Sequence, residues 1–203
     1  MLVIIDYGLG NLRSVFKKFK ELDVTSIISS DIKVIQAADK FVLPGVGHFK
    51  YGMENLKKLN IIDILNEKVI TQKTPIFGIC LGTQLFSKHS EEGDCEGLGW
   101  IDSEVVRFNV SDRIKYKVPH MGWNNISILN GNILNTNINE EENFYFVHSY
   151  HLICEDQSDI WMTTKYDYEF VSAISRDNIF GTQFHPEKSQ DAGLQLLKNF
   201  VDL

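Results

Sequence analysis

Apolar and polar positions change their rhythm about halfway along the chain. In the first half, short apolar runs alternate with stretches of helical period. Leu2 to Ile5 reads as a buried strand. Asn11 to Leu22 then sets Leu12, Val15, Phe16, Phe19 and Leu22 on one helical face, with Arg and Lys on the other. Val24 to Ile28 and Phe41 to Leu43 read as the next strands, 49–72 as helical with a break near Asn60, and Pro75 to Ile79 as a fourth strand. Strands alternating with helices predict a parallel sheet covered on both faces.

The second half is β-rich. Trp100 to Phe108, Asn125 to Leu129, Phe144 to Val147, Ile160 to Tyr166, Phe170 to Ser175 and Ile179 to Phe184 are short runs. Turn signals such as Asn130-Gly131 and Arg176-Asp177-Asn178 separate them, which predicts antiparallel hairpins added to the parallel core. Gln190 to Val201 predicts a closing helix, and the Asn- and Glu-rich stretch Asn130 to Asn143 a surface loop. No repeat or linker interrupts the pattern. The expected fold is α/β, one domain over residues 1–203, with a mostly parallel sheet, helices on both faces and antiparallel strands in the second half.

Composition narrows the function. A chain of 203 residues, 43% apolar and 23% charged, suits one globular core. Its net charge of −7 disfavours non-specific binding to nucleic acid or anionic membrane, while leaving room for a local basic patch. No apolar run approaches the roughly 20 residues that span a bilayer. Met1 to Asp6 lacks a basic leader and reads as a strand rather than a signal peptide. Cys80, Cys95 and Cys154 are odd in number and form no C-x-x-C pair, so neither a disulfide framework nor a cysteine zinc site is expected. These features together predict a reduced, cytoplasmic protein with no metal.

Candidate chemistry begins at Gly78-Ile79-Cys80-Leu81-Gly82. This is the G-x-nucleophile-x-G spacing, placed after an apolar strand and before Thr83 to Phe86, which can start a helix. A nucleophile on such a sharp turn needs small residues two before and two after it. The helix start beyond it favours a thiolate, and the Leu81 N–H is placed to meet a developing oxyanion. An isolated cysteine reads more simply as a small core hydrophobe; the flanking glycines favour the nucleophile.

A thiol nucleophile needs a base, and the base an orienting group. His185-Pro186-Glu187, directly after an apolar strand, supplies both, with Pro186 stiffening the tip. No histidine pair has the H-E-x-x-H spacing of a metal site. Pro44-Gly45-Val46-Gly47 follows the third strand, at the end where parallel sheets bind ligands. It reads equally as a second oxyanion-hole segment or as a plain strand-to-helix turn.

These three blocks together resemble the class I (triad) glutamine amidotransferases. Pro44-Gly45-Val46-Gly47, rather than Pro-Gly-Gly, is similar to the HisH family, the glutaminase subunits of imidazole glycerol phosphate synthase. Further segments carry the same resemblance over nearly the whole chain: Asp6-Tyr7-Gly8, Gly10-Asn11-Leu12, Pro119 to Asn124, Phe144 to Tyr150 and Gln183 to Glu187. Thr83 departs from the family by standing where many relatives have Met.

The resemblance implies a flavodoxin-like sheet and a role for each matched residue. Cys80 is implied to attack the carboxamide of L-glutamine, with His185 shuttling the proton and Glu187 orienting His185. Val46 and Leu81 are implied to offer backbone N–H groups to the oxyanion, the former after a peptide flip. Gly47, Gln84, Ser149 and Tyr150 are implied to hold the glutamine head group, and Asn11, His120, Met121 and Trp123 to lie at or near a docking face. Trp123 reads equally as a half-buried core aromatic. The implied partner is a (β/α)₈-barrel synthase subunit forming a heterodimer. It uses the ammonia to make imidazole glycerol phosphate and aminoimidazole carboxamide ribotide in histidine biosynthesis, with no cofactor in the glutaminase. Paralogues of the same site that feed ammonia to sugar-aminating enzymes of surface polysaccharide synthesis are the alternative. Cysteine peptidase-like hydrolases and degenerate regulatory subunits fit the combined motifs less well.

Overall fold

Val3 and Ile5 belong to the apolar core on one face of the sheet and Leu2 and Ile4 to the core on the other, which is why this strand is apolar throughout rather than alternating. The computed structural model describes residues 1–203. Its first half runs β1 (Leu2–Ile5), α1 (Leu12–Glu21), β2 (Ser26–Ser29), α2 (Ile32–Gln36), β3 (Lys40–Gly45), α3 (Phe49–Lys58), α4 (Ile62–Asn66, continuing as a π-helical turn over Glu67–Thr71), β4 (Ile76–Cys80) and α5 (Leu81–Gln84). The second half contains β5 (His89–Ser90), β6 (Cys95–Glu96), β7 (Ser103–Arg107), β8 (His120–Asn125), β9 (Ser127–Ile128), β10 (Asn143–His148) and β11 (Tyr150–Cys154). It ends with β12 (Ile160–Tyr166), β13 (Tyr168–Arg176), β14 (Ile179–Thr182) and α6 (Gln190–Val201).

One sheet carries the order β2-β1-β3-β4-β14-β13-β11-β7-β5-β6, with β12 and β9 branching from β13. The first five strands of that order are parallel, and β13, β11 and β7 follow antiparallel. β8 and β10 form a separate antiparallel ribbon. On one face Phe41 and Leu43 share a core with Phe49, Met53 and Leu56 of α3 and Leu65 of α4. On the other, Val42, Phe77 and Ile79 share a core with Val15 and Phe19 of α1 and Leu196, Leu197 and Phe200 of α6. Burying each such side chain contributes roughly 1.5–3 kcal/mol over leaving it exposed. The helices on both faces thus anchor a sheet whose strand ends are free to build a site. No helix is long and apolar enough to cross a membrane.

Local chemistry sets the breaks. The Asn11 side chain accepts from Ser14 N–H and starts α1. Asn60 takes φ +55° between α3 and α4, a left-handed turn that Asn tolerates, so the expected helical break falls where it was read. α2 is only five residues long, too short for periodicity to announce.

Several expectations shift. The Val24 to Ile28 strand moves to Ser26–Ser29 and Trp100 to Phe108 shortens to Ser103–Arg107, because hydrogen bonding rather than apolarity sets the ends. Asn125 to Leu129 is not one strand: β8 ends there and β9 is a two-residue branch. β14 pairs antiparallel with β13 but parallel with β4, so it is the fifth strand of the parallel core as well as one arm of a hairpin. The 130–143 stretch is not merely a surface loop. It holds a 3₁₀ turn at Ile133–Asn135 and buries Leu134 and Ile138, while the Asn199 side chain of α6 donates to the Leu134 and Thr136 carbonyls, each at 2.7 Å. Asn199→Leu leaves both carbonyls without their donor. We expect a loss of roughly 2–4 kcal/mol in urea unfolding, seen as a lower midpoint at unchanged slope.

Candidate active site

β4 runs into α5 with no residue between them, and Cys80 makes the turn at φ +54°, ψ −110°. That conformation costs an L-residue about 1–3 kcal/mol and persists only where the surroundings enforce it. They do so by contact. A Cβ on Gly82 would sit 1.7 Å from the Leu43 carbonyl oxygen, and one on Gly78 would sit 2.7 Å from the Thr83 Cα. Thr83, the residue that departs from its relatives, donates its hydroxyl to the Thr182 carbonyl at 2.8 Å and so ties the turn to β14. The helix beyond Cys80 is a single turn, Leu81–Gln84, shorter than the sequence suggested. Its dipole is correspondingly small, so the backbone N–H of Leu81, at the start of that turn, matters more than the macrodipole.

Next to β4 in the sheet, β14 delivers Gln183, Phe184 and His185. His185 is 1% exposed, and its Nδ1 meets Glu187 Oε1 at 2.8 Å. Burial disfavours the charged ring, but the neighbouring Cys80 sulfur and Glu187 carboxylate outweigh it and push His185 up to about 10. Nε2 has no fixed hydrogen-bond partner and lies beside Cys80. A nucleophile, a base and its orienting carboxylate are therefore together.

β3 ends next to β4 on the other side. Gly47, at φ +118°, lies where only glycine is comfortable, so no Gly47 side chain restricts the Val46–Gly47 peptide. Val46, Gly47, Cys80, Leu81, Gln84, Ser149 and Tyr150 all line one pocket of about 310 Å³, at the lower end for small-molecule sites. Two polar residues at the site, Glu92 in the pocket wall and Gln183 behind the sulfur, carry no site role in the sequence pattern. Glu92, in the β5–β6 connection, lines the pocket with a carboxylate and accepts from Phe49 N–H at 2.8 Å. Gln183 is buried and donates from Nε2 to Cys80 Sγ at 3.6 Å. No spacing signal marks Glu92. Gln183 belongs to the Gln183 to Glu187 segment, whose spacing points to His185 and Glu187 alone.

Gln84 reaches both the Tyr150 carbonyl (3.0 Å) and Gln183 Oε1 (2.9 Å) with its Nε2. Both amide hydrogens are thereby used, so towards the pocket it presents only its oxygen.

Among the residues expected at or near a docking face, Asn11, Met121 and Trp123 are exposed; Trp123, at 49%, is not a core residue. His120 lies behind that exposed face rather than on it. It is 3% exposed because alternation along β8 turns it inward while its neighbour Met121 points out. Burial lowers it to about 4, so the ring is neutral. Its Nδ1 lies 3.1 Å from His148 Nε2, and His148 Nδ1 lies 2.7 Å from the Tyr150 carbonyl. That carbonyl can only accept, so His148 carries its hydrogen on Nδ1, and His120 must donate from Nδ1 to His148 Nε2. A larger surface cleft of about 560 Å³ runs beside Arg107, Arg113 and Lys117 but has no cysteine, serine or threonine in its wall.

A thiol beside a buried imidazole–carboxylate pair, with a backbone N–H at the head of a helical turn, can perform acyl transfer on a carboxamide. Comparison with known proteins agrees with this chemistry. Residues 3–203 match the family "Glutamine amidotransferase class-I". The chain is 51% identical over 201 residues, covering 99% of it and 98% of its counterpart, to "Imidazole glycerol phosphate synthase subunit HisH 2" of Methanococcus maripaludis. It is 46% identical, over the full length of both, to the protein of the same name in Pseudomonas aeruginosa. It is 48% identical, again over the full length of both, to "Imidazole glycerol phosphate synthase subunit HisH 1" of Campylobacter jejuni. The solved structure "PurLQS from Thermotoga maritima" shares the fold at a TM-score of 0.72 and 15% identity, covering 99% of this chain and 97% of its own.

The raised His185 makes stability depend on pH. Its unfolded value is about 6.5, so its contribution is complete below that pH and is lost as pH rises through about 10. Thermal unfolding from pH 6 to 10.5 should show this decline. Glu187→Gln removes one support of the imidazolium and should start the decline at lower pH.

Proposed function

The chain belongs to the HisH family of class I glutamine amidotransferases, and we propose from its site that it hydrolyses L-glutamine to glutamate and ammonia for histidine biosynthesis. The observation that carries this reading is the strained Cys80 turn beside the buried His185–Glu187 pair, opening on a pocket sized for a small ligand. Cys80 Sγ attacks the side-chain carbonyl carbon of glutamine, and the oxyanion takes N–H donors from Leu81 and Val46. His185 gives its Nε2 proton to the leaving nitrogen, the C–N bond breaks, and ammonia departs from a thioester. His185 then takes a proton from water, whose oxygen attacks the thioester and expels the Cys80 thiolate with glutamate.

Gly47, Gln84, Ser149 and Tyr150 hold the head group, with the Gln84 oxygen accepting from it and Glu92 facing the ammonium. An oxyanion donor is worth roughly 3 kcal/mol of transition-state stabilisation. Rotating the Val46–Gly47 peptide therefore offers a gate that keeps glutamine from being wasted before an acceptor is bound. We read the whole chain as one cytoplasmic glutaminase domain.

Its partner is a (β/α)₈-barrel synthase subunit, docked over Asn11, Met121 and Trp123, which uses the ammonia to make imidazole glycerol phosphate and aminoimidazole carboxamide ribotide. His120 acts behind that face, through His148. The second reading keeps the site and moves the ammonia to a sugar-aminating enzyme of surface polysaccharide synthesis. The names of the three relatives favour the first reading.

The deciding measurement is glutamate release with and without the barrel subunit and its ribulosyl carboxamide nucleotide. Strong stimulation by the two together supports the histidine assignment; indifference to them moves the protein to the second reading. Cys80→Ala should abolish glutamate release while partner binding, followed by calorimetry, stays intact. Trp123→Ala should weaken that binding tenfold or more if the exposed indole anchors the interface.

A further inference from the structure

We propose that Gln183 is a further catalytic residue, its carboxamide N–H donating to Cys80 Sγ and supporting that sulfur as an anion. This rests on the reading of Cys80 as the nucleophile and adds a second, uncharged donor to the sulfur beside the imidazole.

The argument starts from which end of the carboxamide faces the sulfur. A glutamine side chain can be turned either way without changing its shape, so the surrounding network has to decide. Here the chain of partners begins at a backbone carbonyl, that of Tyr150, which can only accept. Gln84 must therefore present its nitrogen to it, at 3.0 Å. The same nitrogen meets Gln183 at 2.9 Å and requires an acceptor there, which is Oε1. The remaining end of Gln183, 3.6 Å from Cys80 Sγ, is then the NH₂ group. Gln84 and Gln183 are 4% and 1% exposed, so water does not compete for these positions.

The energetics favour an anionic partner. A buried amide N–H costs free energy unless it is satisfied, and a neutral thiol is a poor acceptor. A thiolate turns the same contact into a charge-assisted hydrogen bond, about twice as strong as a neutral one. The donor therefore stabilises the sulfur where it carries charge: before attack, and again when the tetrahedral adduct on the thioester collapses. In that collapse the C–S bond breaks and its electron pair returns to sulfur, facing the Gln183 N–H. Gln84 thus holds the donor in place from behind while its oxygen faces the ligand.

The test uses Gln183→Met, which keeps the length and removes the donor, and Gln183→Glu, which keeps the shape and turns an acceptor to the sulfur. Both are compared with the parent by the rate at which iodoacetamide alkylates Cys80, read on the Cys80 peptide by mass spectrometry from pH 5 to 9. Glutaminase kcat and KM are measured in the complex with the synthase subunit. We expect alkylation at pH 7 to slow about tenfold in either variant, with the profile displaced to higher pH. We also expect kcat to fall tenfold or more while the KM for glutamine changes little. A packing role alone would not move the alkylation profile. An unchanged profile in whichever variant folds overturns the proposal, even if kcat falls. Glutamate release by Cys80→Ala would instead remove the nucleophile itself, and this proposal with it.

Discussion

The contact between the Gly82 backbone and the Leu43 carbonyl is the constraint on which the site depends. With the Gly82 Cα pressed against that oxygen there is no room for a side chain between β3 and the turn after β4, and the parallel pairing of β3 with β4 keeps the two together. Cys80 is then held at its positive φ, where it would not remain if the turn were free to relax. Gly45 completes the lock. A Cβ there would lie 2.2 Å from the Tyr7 hydroxyl oxygen and 2.8 Å from Gly82 N, so the Asp6-Tyr7-Gly8 segment, the oxyanion-side turn and the nucleophile's turn are packed as one piece. The two cores flanking the sheet hold this piece steady, which makes the orientation of one sulfur a property of the whole parallel half.

Three neighbouring strands divide the chemistry among them. β3 brings the rotatable peptide, β4 the nucleophile, and β14 the base together with Gln183. Because they are adjacent and parallel, their carboxyl ends meet at one edge of the sheet, where open α/β sheets bind their ligands. The antiparallel half contributes differently. β11 provides the Tyr150 carbonyl, on which Gln84 and His148 both converge, so that a single main-chain oxygen fixes two side chains.

How much of this could be read from the sequence follows from how local each requirement is. The turn at Cys80 needs small residues at fixed offsets, and Gly78 and Gly82 announce it. His185 and Glu187 are two residues apart and meet within one 3₁₀ turn, so their partnership was legible too. Glu92 was not, because it reaches the pocket only through the packing of the β5–β6 connection against the start of α3. The direction of β14 was equally hidden: apolar content identifies a strand but not whether its neighbour runs parallel. β8 escaped notice because its inward positions, His120, Gly122 and Asn124, are not aliphatic, and the same alternation turns His120 away from the surface that its motif neighbours occupy. Even the Asn-rich stretch misled, since Asn132 and Asn135 accept from the Leu134 N–H and the Trp161 indole, and Asn199 of α6 donates to the stretch's backbone carbonyls.

The interlocked glycines also govern how this protein can change over evolutionary time. Gly45, Gly78 and Gly82 are each held by a different neighbour, and none has room for even one methyl group. A substitution at one cannot be rescued at another, because the obstacle in each case includes main chain, which no second mutation can trim. The exposed faces of α1 and α3 carry no such condition and can exchange Lys, Asn and Glu freely. The lineage can thus replace much of its surface, and with it the choice of partner, while the turn that holds the sulfur has no neighbouring sequence to drift into.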